Sequence, residues 1–361
     1  MRADLPPAIE AELERRTRPA LIFDRARLAA NLTAFAAAAR AHGITTLFAA
    51  KSFPHPDVWA MAAATLDGFD VASEGELASV PAARVVSIVD PSGRAGATVS
   101  PRGRVLVGCE TIEQVRAAPA HAEIAIRISA SITGRDPAVG AVQAGSGHRR
   151  SRFGLDGEDA RAQLAEMAAA ANGRAVGLHV HHGPVTATAG ERFVATARAV
   201  LEVAQAAGVT PRFLDLGGAW HGLADVADAL AQVRAAVPRT IELIAEPGRL
   251  FADQAGFACG RVVVARRLAD RELRVVDLSR LCHLRWSPIE LVGAAPHAGS
   301  GVTTLVVGPT CSEDDVLGEW TVRPGALDAG ARVVVRYVSG YAVAWNTGFG
   351  GVSPADVVLT G

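Results

Sequence analysis

The sequence predicts a (β/α)8 barrel, also called a TIM barrel, followed by a C-terminal all-β domain. The chain has 361 residues, which is enough for two domains. From residue 20 to about residue 250, short apolar or β-branched runs alternate with alanine-rich segments of helical period. After about residue 251, strand-like runs separated by Gly and Pro follow one another. We therefore predict an N-terminal segment (1–19), a barrel domain (20–252) and a β domain (253–361).

Eight strands precede residue 250, and eight βα units in about 230 residues suit a closed barrel. An open doubly wound sheet is the alternative, but no Gly-x-Gly-x-x-Gly motif follows the first strand. The predicted barrel strands are 46–50, 69–72, 85–89, 105–108, 124–128, 176–181, 213–216 and 241–245. The predicted helices between them include 27–42, 157–172, 191–207 and 224–237, and the predicted strands of the β domain are 257–266, 273–277, 303–307 and 332–338.

The composition excludes several classes of protein. There are 36 basic and 37 acidic residues, a net charge of −1, and no basic block, so we expect no nucleic-acid partner. No apolar run reaches the ~18 residues of a membrane span, and the first residues lack the apolar core of a signal peptide. The four cysteines form no Cys-x-x-Cys pair, which suggests reduced thiols and a cytoplasmic protein.

Lys51 is the only lysine among the 36 basic residues. A lone surface lysine has no special meaning in most chains. Arginine, however, keeps its proton near neutral pH and cannot act as an amine nucleophile, whereas lysine can. Lys51 is therefore the residue at which we expect imine chemistry.

Polar residues gather where the predicted strands end, which is where a barrel keeps its chemistry. In chain order they are Lys51, then Ser73, Glu74 and Glu76, then Arg127, then His179, His181 and His182, then Asp215, Gly217 and Gly218, then Glu246-Pro-Gly-Arg249. The histidines could bind a metal, but no further ligands stand at metal-binding spacing, and we predict no metal site. The paired glycines could form a plain turn or present N–H groups to a phosphate.

Other residues have structural alternatives too. The Glu246–Arg249 segment could be a β-turn with a surface ion pair. Cys311 could be a buried packing residue, and Tyr341 could belong to the core. Taken together, an imine-forming lysine, a phosphate-binding turn, an imidazole face and a buried acid are what pyridoxal phosphate requires, since a carboxylate keeps its ring nitrogen protonated.

Seven motifs occur in an order that resembles the fold-type III pyridoxal-phosphate decarboxylases, the group of ornithine, diaminopimelate and carboxynorspermidine decarboxylases, whose barrel is like that of alanine racemase. The similarity runs from about residue 19 to the C-terminus. The motifs are Ala50-Lys-Ser52, Phe69-Asp-Val-Ala-Ser-Glu-Gly-Glu76, Ser151-Arg-Phe-Gly-Leu155, Gly177-Leu-His-Val-His-His-Gly183, Leu214-Asp-Leu-Gly-Gly218, Glu246-Pro-Gly-Arg249 and Gly308-Pro-Thr-Cys311.

This resemblance implies a role for each matching residue and an obligate homodimer with shared active sites. Lys51 would form the Schiff base with pyridoxal 5'-phosphate, His181 would stack on its ring, and Glu246 would pair with the ring nitrogen. Cys311 would reach the partner's site and guide protonation, and would act there with Lys51 and His181. The other implied cofactor-binding residues are Gly217, Gly218, Gly248, Arg249 and Tyr341.

The sequence departs from the family at several positions. Pro184 replaces a serine whose hydroxyl contacts phosphate, Ala219 replaces the third of three glycines, and Gly350 replaces an asparagine. Ser312 stands where an acidic residue that binds a distal amine often follows the cysteine, and the acids Glu313, Asp314 and Asp315 come after it. A plain ornithine or lysine decarboxylase is therefore disfavoured.

Arg280 and Arg285 lie near the substrate-contacting region of relatives and would suit a second carboxylate on the substrate. With Ser312, Arg285 is a predicted substrate-binding residue. We predict pyridoxal-phosphate-dependent decarboxylation of an amino acid or an amino-acid conjugate. The alternatives are a racemase or epimerase, in which arginine typically faces the ring nitrogen, a non-catalytic cofactor-binding protein, and a metal-dependent barrel hydrolase.

Overall fold

A computed structural model describes residues 5–100, 103–133, 152–181, 189–296 and 300–361. The chain divides into two compact units. The unit that we call the barrel unit comprises Leu32–Lys51 and His55–Leu250, and the unit that we call the β unit comprises Met1–Asn31, Ser52–Pro54 and Phe251–Gly361. The predicted domain boundary at residues 252 and 253 stays a prediction.

The secondary structure alternates between strands and helices up to β9 and is mostly strand thereafter. The strands are β1 Ala20–Phe23, β2 Ile44–Ala49, β3 Gly68–Val71, β4 Val85–Ile88, β5 Arg104–Cys109, β6 Glu123–Arg127, β7 Val176–His179, β8 Phe213–Asp215, β9 Glu242–Ala245, β10 Gly256–Arg267, β11 Glu272–Val276, β12 Glu290–Leu291, β13 Val302–Val307, β14 Val316–Val322, β15 Arg332–Arg336 and β16 Asp356–Leu359. The helices are α1 Pro7–Arg15, α2 Arg25–Ala41, α3 Pro56–Thr65, α4 Glu74–Ser79, α5 Arg94–Thr98, α6 Ile112–Ala117, α7 Ala160–Ala170, α8 Ala189–Ala206, α9 Val226–Ala236 and α10 Tyr341–Ala344.

Strands β2 to β9 close into a parallel barrel in chain order, so the predicted (β/α)8 architecture is confirmed. Strands such as β4 and β6 are short and largely buried, because their outer face packs against helices and their inner face fills the barrel. Six buried side chains fill one part of the barrel interior. They are Leu47, Val85, Leu106, Ala125, Phe213 and Ile244.

Short polar side chains begin several barrel helices. Ser73 accepts a hydrogen bond from the Glu76 backbone N–H at the start of α4, and Asp225 accepts one from Asp228 N at the start of α9. Thr111 forms a capping box with Gln114 at the start of α6. These contacts satisfy N–H groups that have no partner inside the helix, so each helix starts at a defined residue after its strand.

An ion cluster ties together the strand starts at the opposite end of the barrel from the strand ends that carry the site. Arg104, the first residue of β5, donates two hydrogen bonds to Glu123 of β6, both at 2.8 Å. Its third nitrogen lies 2.8 Å from both carboxylate oxygens of Glu242 in β9. Three strands are thereby joined through one guanidinium, whose planar fork matches two carboxylates at once.

The β unit contains an eight-stranded sheet that includes the four strands predicted after residue 251. Its main path runs β12-β15-β10-β11-β13-β14, and β1 joins it by pairing with β10 and β16. Strands β1, β12, β14 and β16 and the short helix α10 were not predicted. Helix α1 contributes Ile9 and Leu13 to a buried cluster with Ile22 and Phe257. Among the described residues, no helix is both long and apolar enough to cross a membrane.

Candidate active site

The ends of five barrel strands bring ionisable side chains together at one mouth of the barrel. The strand register places Arg127 of β6 beside His179 of β7, and His179 beside Asp215 of β8. Lys51 lies in the 3-10 turn directly after β2, and Glu246 directly follows β9. Most of these residues are the ones that the sequence predicted to meet at the strand ends.

Lys51 contacts a buried acid on the neighbouring strand. Its Nζ atom forms a hydrogen-bonded ion pair with Oδ2 of Asp70 in β3. Asp70 is fully buried, and its other oxygen has no hydrogen-bond partner in the structure. The turn that holds Lys51 is fixed from the other side, because Ala49 N donates to the Pro247 carbonyl at 3.2 Å. The only primary amine on a side chain of this protein is thus held at the mouth by a carboxylate.

Glu246 and Asp215 form a buried acid pair. Their side chains share a hydrogen bond, and Asp215 Oδ1 also accepts one from Gly217 N at 2.8 Å. Burial raises the pKa of Asp215 to about 7, and burial and the neighbouring carboxyls of Asp215 and Asp70 raise the pKa of Glu246 well above its usual range. The two acids therefore hold a proton between them at neutral pH.

His179 lies against this pair without a hydrogen bond. Its Nε2 atom is 3.7 Å from Glu246 Oε2, and neither ring nitrogen has a hydrogen-bond partner among the described residues. Burial lowers the pKa of His179 well below its usual range, with a further effect from the cation of Arg127. His179 is consequently neutral, and the contact with Glu246 is not an ion pair.

The predicted phosphate-binding turn follows β8. Gly217 adopts φ +62°, and a Cβ atom there would lie 2.9 Å from Cδ2 of His181. A Cβ atom on Gly218 would lie 3.1 Å from His181 Nε2, so the imidazole packs directly against this turn. Ala219 adopts φ +69°, a conformation that favours glycine, so the alanine found here carries backbone strain.

The charge of Arg249 affects a histidine that closely follows the turn after β8. Burial, and then the cation of Arg249, lower the pKa of His221 to about 4. His221 lies two residues beyond Ala219, so the charge of Arg249 acts on the segment that follows the paired glycines. Gly248 precedes Arg249 in the turn after β9. A cation and a glycine turn in one place suit an anionic group.

The remaining predicted residues lie in the β unit. Tyr341 begins α10, and its ring stands edge-on to that of Trp286, with centroids 5.3 Å apart. Cys311 is exposed, whereas the other three cysteines are buried, and all four are free thiols. Ser312 is half-buried and lies in the same loop as Cys311.

Arg285 is stacked on an aromatic ring. Its guanidinium carbon lies 4.3 Å from the ring centroid of Trp345, and no described carboxylate forms an ion pair with it. Arg280, the other predicted carboxylate-binding residue, donates through Nη1 to the Ser287 carbonyl at 2.6 Å. Of the two arginines, Arg285 is the one whose side-chain donors bond to no backbone carbonyl of the described residues.

Some predicted features lie outside the described residues. They are Ser151, the first residue of the Ser151-Arg-Phe-Gly-Leu155 motif, and His182, Gly183 and Pro184 after β7. Of the three histidines considered from the sequence as metal ligands, His179 and His181 are described and His182 is not. A different buried group, His179, Asp215 and Glu246, has possible ligand atoms that lie within 4.8 Å of one another.

Comparison with known proteins identifies the chain. Residues 25–253 match the family described as "Pyridoxal-dependent decarboxylase, pyridoxal binding domain". The chain belongs to the pyridoxal-dependent decarboxylases. It is accordingly a pyridoxal-phosphate-dependent carboxy-lyase that acts on an amino acid, which confirms the predicted cofactor and reaction class.

Similar proteins cover most of the chain. The diaminopimelate decarboxylase of Actinosynnema pretiosum subsp. auranticum is 28% identical in an alignment of 347 positions that covers 86% of this chain and 77% of the relative. That of Pseudomonas fluorescens is 25% identical and covers 95% of this chain and 87% of its own. The Paramecium bursaria Chlorella virus arginine decarboxylase bound to agmatine shares the fold, with a TM-score of 0.78, 18% identity, and coverage of 97% and 99% of the two chains.

The buried polar atoms of this pyridoxal-dependent decarboxylase fit the cofactor. Glu246 Oε1 is buried and has no hydrogen-bond partner in the described part of the chain, and a protonated ring nitrogen would supply the donor that it lacks. Lys51 offers the amine for the aldehyde at the same mouth. The turn of Gly217 and Gly218, together with Arg249, offers a place for the phosphate. The residues present therefore suit pyridoxal phosphate.

Sequence reasoning did not select two residues of this site. Asp70, the partner of Lys51, was part of a quoted motif but was given no role, and Asp215 was noted only as a residue at a strand end. An acid in the middle of a predicted apolar strand is the signal that could have identified Asp70, since a carboxylate is buried only with a partner. Trp286 gave no sequence signal beyond being one of five tryptophans.

Proposed function

We propose that this decarboxylase acts on an amino acid that carries a second carboxylate, with Lys51 as the residue that forms the Schiff base. The observation that carries the substrate class is Arg285, a half-buried arginine stacked on Trp345 with no described carboxylate partner. Stacking holds the guanidinium plane in place, so its forked donors are oriented for a carboxylate before the substrate arrives. The named activity of the curated relatives, diaminopimelate decarboxylation, is in keeping with a dicarboxylate substrate.

Each residue of the barrel mouth has a role in this proposal. Lys51 Nζ provides the amine, and Asp70 orients it. Glu246 binds the ring nitrogen, and Asp215 holds Glu246 by their shared hydrogen bond. When bound, the pyridoxal phosphate supplies the electron-accepting ring that makes loss of CO2 feasible. The predicted phosphate-binding residues are Gly217, Gly218, Gly248 and Arg249, with His181 against the ring and Tyr341 over the phosphate.

We assign proton delivery to Cys311, with Ser312 beside it on the substrate side. A thiol beside the substrate would deliver the proton to the carbon that has lost CO2 rather than to the cofactor. Cys311 is the one exposed cysteine, so its thiol is accessible to a second subunit. We propose that the enzyme is a homodimer in which each Cys311 serves the active site of the other protomer, and that it is cytoplasmic.

The first prediction tests the substrate class. We expect CO2 release from amino acids with a second carboxylate, and much slower release from those with a neutral or cationic side chain. Changing Arg285 to Met keeps an apolar contact with Trp345 but removes the donors. Loss of a charge-assisted carboxylate contact costs about 1.5–3 kcal/mol, so KM for the dicarboxylate should rise about 10- to 100-fold.

The control is Arg267→Met, because Arg267 is an exposed arginine in β10 of the same unit. It should change KM by less than about twofold. An Arg285→Met variant that keeps the wild-type KM for the dicarboxylate would show that Arg285 does not bind the second carboxylate. If CO2 release is fastest from an amino acid that has a second amine but no second carboxylate, the proposed substrate class is refuted.

A further inference from the structure

Two loops of the β unit carry the residues assigned to the substrate side. We call residues 279–287, which include Arg280 and Arg285, the arginine loop, and residues 308–315, which include Cys311 and Ser312, the thiol loop. The sequence left open the role of the three acids after Ser312. In the structure the third of them, Asp315, lies between the two loops.

Asp315 is a buried carboxylate that accepts hydrogen bonds from both loops. Its side chain is bonded by Ser279 Oγ at 3.0 Å and by Arg280 N at 2.6 Å, both in the arginine loop. Leu281 N in the same loop donates at 3.4 Å, and Thr310 N in the thiol loop donates at 3.2 Å. Only 2% of Asp315 is exposed, so these donors take the place of water.

The thiol loop is shaped to admit this carboxylate. A Cβ atom on Gly308 would lie 2.2 Å from Asp315 Oδ2, which explains why glycine begins the Gly308-Pro-Thr-Cys311 motif. The backbone closes the loop over the same place, because Gly308 N donates to the Asp315 carbonyl at 2.7 Å and Asp315 N donates to Ser312 O at 3.1 Å. A displacement of the Asp315 side chain would therefore move the loop that holds Cys311.

The arginine loop depends on Asp315 through Ser279. Ser279 Oγ donates to the carboxylate and itself accepts hydrogen bonds from Leu281 N at 3.1 Å and Cys282 N at 3.0 Å. The hydroxyl can accept from both backbone groups only while its proton points at Asp315. The carboxylate thus fixes the turn that leads into Arg285.

We propose that Asp315 is a positioning residue that fixes the thiol loop relative to the arginine loop. One buried carboxylate then sets the positions of both Cys311 and Arg285. This inference rests on the proposed function, which gives those two residues their roles. Asp315 touches neither substrate nor cofactor in this account. It acts through Ser279, Arg280 and Thr310.

Thiol labelling tests the proposal without substrate or cofactor chemistry. Cys311 is the only exposed cysteine, so the fast phase of reaction of the native holoenzyme with an aromatic disulfide reagent reports on the thiol loop. In Asp315→Asn an NH2 group, which can only donate, replaces one carboxylate oxygen that accepts hydrogen bonds. The labelling rate of Cys311 should then change at least fivefold at a temperature well below that of unfolding. Asp314→Asn, an exposed acid in the same loop, is the matched control and should change the rate by less than twofold.

Two further variants keep the test valid if Asp315→Asn folds poorly. Ser279→Ala removes one donor of the set, lies in the other loop, and should still alter the labelling rate of Cys311. Combined with Asp315→Asn it should add less than twofold, because both changes break the same connection. Gly308→Ala should resemble Asp315→Asn. A buried carboxylate with a merely structural role would lower Tm in these variants and leave the native-state labelling rate unchanged.

Kinetics then connect the positioning to the reaction. Asp315→Asn and Ser279→Ala should raise KM for the dicarboxylate at least fivefold, and the Asp314→Asn control should not. Labelling rates and KM that stay within twofold of wild type in both variants would overturn the proposal. If Arg285→Met leaves KM unchanged while the labelling rates respond as predicted, the substrate assignment of Arg285 fails and the coupling of the two loops by Asp315 stands.

Discussion

At the scale of the residue, the mouth of the barrel holds more buried charge than a structural core would contain. Asp70, Asp215 and Glu246 are all at most 3% exposed, and they lie near one lysine and one neutral histidine. Burial raises the pKa of Asp215 and of Glu246, and buried carboxyl groups are costly unless a cation or a hydrogen-bond donor contacts them. In the proposed function, a protonated cofactor ring would supply the hydrogen-bond donor that Glu246 lacks, so the buried acids belong to the working site.

The second prediction concerns the pH dependence of stability in the cofactor-free protein. The pKa of Asp215 is about 7 in the folded chain, first because of burial, against about 3.9 for an unperturbed Asp. Between these values the folded state keeps a proton that the unfolded state releases, so the free energy of unfolding falls as pH rises from about 4 to about 7. Asp215→Asn removes this group and leaves an oxygen that can still accept from Gly217 N.

We therefore expect the free energy of unfolding of Asp215→Asn, relative to wild type, to increase from pH 5 to pH 8 in urea titrations. Glu246, Asp70 and Lys51 face Asp215, and loss of the Asp215 carboxylate also removes one cause of the raised pKa of Glu246. The lowered pKa of His179 and of His283 reduces stability below about pH 6.5, but both residues remain in the variant and contribute to both proteins. A difference that is independent of pH would show that Asp215 is already ionised in the folded chain.

The sequence alone was sufficient to select a residue whose type has few chemical roles, such as the single lysine. It was not sufficient to predict contacts between residues that are distant in the sequence. A single lysine after a strand can be found without coordinates. The bond between Glu246 and Asp215 cannot, because these residues are 31 positions apart and meet only when β8 and β9 pair. The role of Asp315 is also invisible in the sequence, where three acids in a row are equivalent.

At the scale of the element, the alternating pattern was sufficient to predict all eight barrel strands. Their ends were less certain: β7 ends at His179, two residues before the predicted end. The sheet of the β unit was harder, because β1 pairs in parallel with β16 more than 330 residues later. Pairing between distant segments leaves no periodic signal in either one, whereas βα alternation repeats locally.

The third prediction tests what joins the barrel strands at their starts. Arg104→Met leaves Glu123 and Glu242 facing each other without their cation. The side chains are about one quarter to one third exposed, so solvent reduces the cost below that of a fully buried pair. We expect the free energy of unfolding to fall by about 1–3 kcal/mol in urea titrations. The control is Arg161→Met, on the exposed face of α7, whose free energy of unfolding should stay within about 0.5 kcal/mol of wild type. An equal loss of stability in both variants would mean that the ion cluster does not stabilise the barrel.

At the scale of the whole molecule, the proposed active site is shared between two protomers. The predicted catalytic residues Lys51 and Cys311 lie in different compact units of the chain. We propose that a complete active site takes Lys51 from one protomer and Cys311 from its partner. Such an arrangement makes activity depend on assembly, because the Lys51 and Cys311 of one protomer belong to two different active sites.

The fourth prediction is complementation between two inactive or altered proteins. Lys51→Ala should release no CO2, and Cys311→Ala should release CO2 but form aldehyde and lose activity over repeated turnovers. In a mixed dimer one site combines the intact Lys51 of one protomer with the intact Cys311 of the other. After subunit exchange, shown with differently tagged chains, the mixture should form normal amine product at up to about a quarter of the wild-type rate, since half of the dimers hold one good site of two. Exchange without any recovery would refute the shared site.

The central claim is that Lys51 carries the cofactor, and borohydride reduction followed by tryptic mapping tests it most directly. Lys51 is the only lysine, so trypsin cuts the free chain after Arg40, Lys51 and Arg84. We predict that the purified holoenzyme absorbs visible light, loses that absorbance on reduction, and yields one uncut pyridoxyl-bearing fragment of residues 41–84. Lys51→Ala should give no labelled fragment, and Lys51→Arg should not restore it. A pyridoxyl group on the N-terminal amine instead, or separate unlabelled fragments 41–51 and 52–84 after reduction at saturating cofactor, would contradict the account.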